Sequence, residues 1–137
     1  MYLPATNKIV KDVSSSNEDL YGNNTILVVD DEELILTMAE AVLSEYGYTV
    51  LTANSGENAL DIIKKHKGKI DLVITDLVMP RMSGRELVEE ILKIYPNTKI
   101  LCSSGFVRPS PEEEENYLQK PFTAQELLLK VKKILSS

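Results

Sequence analysis

Cysteine occurs once in these 137 residues, histidine once, and tryptophan not at all. The single thiol, Cys102, excludes an internal disulfide and fits a reducing compartment. It lies in an apolar run, where an inert core thiol is expected. Positive charge is also scarce. Fifteen Lys and Arg stand against 21 Asp and Glu, a formal net charge of -6. That balance argues against non-specific binding to nucleic acid, whose affinity comes from basic surface. No apolar stretch approaches the roughly 20 residues of a membrane-spanning helix, and the N-terminus lacks the apolar centre of a signal peptide. What is present is 43% hydrophobic and 26% charged residues, enough for a real core in one folded domain plus a tail.

Residues 5–24, ATNKIVKDVSSSNEDLYGNN, are polar, rich in Ser and Asn, and without sustained period. They read as a linker, so 1–24 is expected to be tail and 25–137 the domain. From Thr25 onward short apolar runs recur at 26–29, 49–53, 72–75, 100–103 and 117–119, with the length and β-branching of buried strands. Helical patterns separate them. Ile35, Met38, Val42 and Tyr46 share one face, and Gly47 is placed to end that helix. Ala59, Ile62, Ile63 and His66 form a second stripe; His66, near a helix end among lysines, reads as a surface residue. Leu87, Val88, Ile91, Leu92 and Tyr95 form a third, and a capping box at Thr123 and Glu126 opens a last helix. This alternation predicts an α/β fold with a doubly wound parallel sheet.

In such sheets ligands bind beyond the carboxyl ends of the strands. Those ends carry Asp30 and Asp31 after the first run, Asp76 at the end of the third, Ser103 and Ser104 at the fourth, and Lys120 after the fifth. Asn54 and Ser55, after the second, look like helix caps. Two carboxylates ~5 Å apart repel by roughly 3 kcal/mol at an effective dielectric of 20, so three in one site call for a cation. Oxygen ligands without His or Cys favour Mg²⁺ over zinc. An Asp can accept a phosphoryl group as an acyl phosphate, and the transferred group needs neutralisation from several sides. Mg²⁺ supplies one side, Lys120 a second and the Ser104 hydroxyl a hydrogen bond.

The fragments ILVVDDE, DLVITDLVMPRMSG, ILCSSGF and YLQKPF, in that order, resemble the receiver domains of two-component response regulators. The resemblance covers residues 25 to about 135. It implies a flavodoxin-like five-stranded sheet of order 2-1-3-4-5, with Asp76 as phosphoacceptor. Asp30, Asp31, Asp76 and the Val78 backbone carbonyl are implied as the Mg²⁺ ligands, Asp31 the more direct of the two leading acids. Ser104 matches the switch hydroxyl, Lys120 the phosphate-contacting lysine, and Tyr117 the aromatic that turns inward on activation. Met79-Pro80 and Gly84 match the loop into the third helix. A cis Lys120–Pro121 peptide is expected, and Val78 and Phe106 are expected to shield the phosphoryl group from water. The implied phosphodonor is a histidine kinase or histidine phosphotransfer domain, and the implied location the cytoplasm. No nucleic-acid or membrane contact by this domain is expected, and no catalysis beyond its own phosphorylation and dephosphorylation. MYLPAT resembles the end of histidine-kinase ATP-binding domains, which points to the C-terminal receiver of a hybrid sensor kinase, with no output domain after Ser137.

One segment departs from the family pattern. GFVRPSPEEEEN, residues 105–116, is too short for a full helix before the fifth strand. Ser110, Pro111 and Glu113 suit one capped turn. A shortened or missing fourth helix is therefore expected, with low protection from exchange and weak dimerisation at most, so a monomer or weak dimer. Two other readings compete with the receiver. A Mg²⁺-dependent aspartyl-phosphate phosphatase or phosphotransferase would want Asp-x-Asp after the first strand, which DDEE does not supply. A phosphorylation-independent binding module has no need of all five site residues.

Overall fold

Short β-branched runs extend and amphipathic segments coil, and the chain alternates between them. The computed structural model describes residues 20–67, 69–105 and 116–136. The elements are β1 (Thr25–Val29), α1 (Glu33–Glu45), β2 (Thr49–Ala53), α2 (Gly56–Lys65), β3 (Leu72–Asp76), α3 (Gly84–Ile94), β4 (Lys99–Ser104), β5 (Tyr117–Gln119) and α4 (Ala124–Leu135). All strand pairs are parallel, in the order β2-β1-β3-β4-β5. This is the sheet expected from the sequence. The expected short turn between the fourth and fifth strands, with Phe106, the Ser110–Glu113 box and the glutamate run, lies outside the described residues. So do residues 1–19, including MYLPAT.

Side chains alternate across each strand, and each face of the sheet builds its own core. Ile26, Val28, Leu72, Ile74, Leu101 and Leu118 pack under α1 and α4. Leu27, Val29 and Val73 pack under α2 and α3. Full burial of each such aliphatic side chain contributes about 1.5–3 kcal/mol. Three helices start from side-chain caps: Ser55 accepts from the Asn58 N–H, and Ser83–Glu86 and Thr123–Glu126 form complete capping boxes. Each cap is worth about 1 kcal/mol.

The face of α1 differs from the expected one. Its buried line is Leu36, Ala39 and Leu43. Met38, Val42 and Tyr46 flank that line and pack against it, and Ile35 is half-buried. Both lines have helical spacing one residue apart, so periodicity did not separate the centre of the stripe from its edge. His66 is half-buried rather than free on the surface, and its Nδ1 lies 2.9 Å from the Ile62 carbonyl at the end of α2. Cys102 is half-buried rather than in the core.

The packed unit includes residues ahead of the Thr25 boundary. Leu20 is 4% exposed and belongs to the α1–α4 core. The Tyr21 ring packs against the Tyr46 ring at a tilt of 45°, with centroids 4.8 Å apart. The Gly22 N–H donates to the Tyr46 carbonyl at 3.0 Å, the Tyr48 hydroxyl to the Leu20 carbonyl at 3.5 Å, and the Lys132 ammonium to the Tyr21 carbonyl at 2.8 Å. Gly22 faces the Tyr48 ring, where a side chain would overlap it. Leu20→Ala is expected to lower the unfolding free energy by about 2 kcal/mol, read from the urea midpoint; an unchanged midpoint would show that this strap adds nothing.

Candidate functional site

Parallel strands deliver their carboxyl ends to one pole. Asp30 follows β1, with its N–H held by the Ala53 carbonyl at 3.1 Å. Its Oδ1 accepts from the Glu32 N–H at 2.9 Å, which turns the chain into α1. Asp76 ends β3, and its Oδ1 accepts from the Val78 N–H at 3.3 Å. Lys120 follows β5, anchored by its own N–H to the Ser104 carbonyl at 3.1 Å, and the Lys120–Pro121 peptide is cis as expected. Carboxylate oxygens of Asp30, Asp31 and Asp76 lie within 4.8 Å of one another. Asp31 is exposed, whereas Asp30 and Asp76 are buried.

Among the described residues one ammonium is paired with this acid group. Lys120 Nζ is 2.8 Å from Asp30, 3.4 Å from Asp76 and 3.4 Å from Glu32. Burial raises the pKa of Asp30 and outweighs the hydrogen bonds from Lys120 and the Glu32 N–H. Burial likewise raises Asp76 against the attraction of Lys120, and the Asp31 charge adds to the rise. Burial works to lower Lys120, yet the bonds to Asp30 and the charges of Asp30 and Asp76 carry it upward. The acids rise although they are paired because their burial outweighs the attraction of the one ammonium they share.

The remaining expected residues sit around this pair. Ser104 is fully buried at the end of β4, and its carbonyl accepts from the Tyr117 hydroxyl at 3.1 Å and from Gln119 at 3.3 Å. Tyr117 is buried and points inward. Val78 stands half-exposed beside Asp76 and, with Ile35, Pro121 and Phe122, lines a cleft over Asp31, Asp76 and Lys120. Met79 is buried, and Arg81 adopts a left-handed φ of 67° in the loop to α3. Gly84 packs directly on the Asp76 carbonyl and donates its N–H to the Leu77 carbonyl at 3.1 Å.

Two neighbours went unassigned in the sequence. Glu32 was one acid in a run of four, and only the Lys120 contact distinguishes it. Ser103 is opposite Asp76 in the β3–β4 ladder. Its parity with Leu101 along β4 was the available signal.

Residues 26–132 match the model of the response regulator receiver domain. The chain belongs to this receiver family. It is 37% identical over 123 residues to the sensor kinase CckA of Brucella abortus, covering 85% of this chain and 13% of that protein. It is 33% identical over 123 residues to the alkaline phosphatase synthesis transcriptional regulatory protein PhoP of Bacillus subtilis, covering 82% of this chain and 49% of that protein. The chain thus spans less than half the length of these relatives. A receiver domain from Clostridium thermocellum superposes with a TM-score of 0.74 at 35% identity, over 82% of this chain and 94% of that one. The receiver domain of the hybrid histidine kinase CckA gives 0.73 at 32% identity, over 82% and 99%.

The acid group of this receiver fits a hard divalent cation. Three carboxylates converge without His or Cys, and Mg²⁺ prefers oxygen ligands while keeping several waters. Among the described residues no helix is long and apolar enough to cross a membrane.

Proposed function

We propose that this receiver accepts a phosphoryl group from a phosphohistidine onto Asp76. The observation that carries the reading is the meeting of Asp30, Asp31, Asp76 and Lys120 at one pole of the sheet. An Asp76 carboxylate oxygen attacks phosphorus, a P–O bond forms, and the P–N bond to the donor imidazole breaks. The electron pair stays on that imidazole nitrogen, which takes a proton from water. Asp30, Asp31, Asp76 and the Val78 carbonyl are the residues that would hold Mg²⁺. When bound, that ion neutralises phosphoryl oxygens and the excess charge of the acids. Lys120 moves its ammonium from Asp76 to the new phosphoryl oxygens, Ser104 supplies a hydroxyl, and Tyr117 reports the change at the β4–β5 edge.

The donor class is a histidine kinase or histidine phosphotransfer domain. The CckA similarity supports a place in a hybrid kinase and action in the cytoplasm. The chain's only enzymatic role in this reading is on itself.

Acetyl phosphate with Mg²⁺, followed by intact mass, tests the assignment. One phosphoryl group is expected on the parent chain and none on Asp76→Asn. Full labelling of that variant would move the acceptor elsewhere. Turnover of external phosphate esters would favour the phosphatase reading instead.

A further inference from the structure

The Ser103 hydroxyl is buried and has no hydrogen-bond partner among the described residues. The residue is 3% exposed. A buried hydroxyl left unpaired gives up its hydration without return, so it calls for an explanation.

Its position supplies one. Ser103 is directly opposite Asp76 across the β3–β4 ladder and opposite Leu118 across the β4–β5 ladder. Alternation places it with Leu101 on the α1–α4 face, the face that Asp76 continues on β3 and Asp30 on β1. Neighbouring strands are ~4.8 Å apart, so the serine stands beside the base of the Asp76 side chain. Lys120 starts from the far edge of the sheet, after β5, yet its ammonium reaches Asp76 at 3.4 Å and Asp30 at 2.8 Å. To do so it crosses β4, and Ser103 is the β4 residue on that face at that level. A small side chain leaves the lysine its path; a leucine, as at 101, would fill it.

We propose that Ser103 is a positioning residue of the acceptor site, whose hydroxyl donates to the Asp76 acyl oxygen once Lys120 has turned to the attached phosphoryl group. The inference rests on Asp76 being the acceptor. In the resting protein Lys120 occupies one Asp76 oxygen at 3.4 Å, and the Val78 N–H holds the other at 3.3 Å. Phosphorylation leaves one Asp76 oxygen bridging to phosphorus and the other as a carbonyl. Departure of the ammonium frees an acceptor, and the serine is the adjacent unpaired donor. Its bond is made in the phosphorylated state and is given up when Lys120 returns to Asp76 as the P–O bond breaks and the electron pair goes back to the carboxylate, so the bond slows loss of the phosphoryl group.

Ser103→Ala and Ser103→Thr in the full chain test this, after labelling with acetyl phosphate and Mg²⁺ and removal of the donor. Alanine is expected to shorten the phospho-Asp76 half-life about three- to tenfold, the effect of one net hydrogen bond. Threonine, which keeps the hydroxyl, is expected to stay near the parent. The thermal midpoint of unphosphorylated Ser103→Ala should equal or exceed the parent's, because no resting bond is lost. A half-life for alanine within about twofold of the parent, or a threonine variant as short-lived as alanine, overturns the role of Ser103 and leaves Asp76 as acceptor. A parent chain that carries no label on Asp76 overturns the acceptor assignment itself.

Discussion

Lys120→Ala is expected to lose about 3 kcal/mol of stability in metal-free buffer, the scale set by breaking a buried ion pair from one side. The ammonium is 15% exposed, and its partners are more enclosed, Asp30 at 3% and Asp76 at 8%. Removing it leaves two buried carboxylates facing each other with no cation paired to them among the described residues. Both already sit above the ordinary carboxylate range because of burial, and loss of Lys120 raises them further. The folded variant then binds protons more tightly than the unfolded chain, so its stability falls as pH rises from the unfolded carboxylate value through the raised folded ones. Excess Mg²⁺ should restore much of the loss, because an ion that binds only the folded form stabilises it by mass action. Urea unfolding in EDTA and in Mg²⁺, at mildly acidic and neutral pH, reads all three effects. A variant as stable as the parent in EDTA at neutral pH would show that the acids need no internal cation.

Gly84→Ala is expected to be nearly as damaging for a different reason. A Cβ at this position would overlap the Asp76 carbonyl oxygen and lie 2.7 Å from the Leu77 Cα, both backbone atoms that no rotamer change can move. Either α3 must back away from β3 or the end of β3 must shift. The expected loss is about 3 kcal/mol, as for overpacking a tight core, or a fall of about 10 °C in thermal midpoint for a chain of this size. The strain falls on Asp76, the acceptor proposed above, so labelling from acetyl phosphate should slow more than the fall in folded fraction explains. A parent-like midpoint together with parent-like labelling would show that the loop yields freely.

The strands were legible because burial on both faces leaves runs of Ile, Leu and Val that nothing else in the sequence imitates. Asp30, Asp76 and Lys120 were legible because a parallel sheet sends every strand end to the same pole, so position along the chain translated into position in space. The centre of the α1 stripe was not legible. Leu36 and Ile35 both satisfy helical spacing, and only packing on the sheet decides between them. Ser103 was hidden beside Ser104, since two hydroxyls in a row do not say which one lies opposite Asp76. The hold on Leu20–Gly22 was hidden for another reason. It depends on Tyr46, Tyr48 and Lys132, residues distant in sequence that the fold brings to one corner.

That corner decides where this module begins when it is moved between proteins. A chimera joined at Thr25 would keep the whole sheet yet leave Tyr48 and Lys132 facing water with nothing to bind, and an apolar notch where Leu20 sat. A junction placed before Leu20 carries its own seal. It also sets an anchor point: Tyr21 and Gly22 are fastened at the ends of α1 and α4 away from the acid pole.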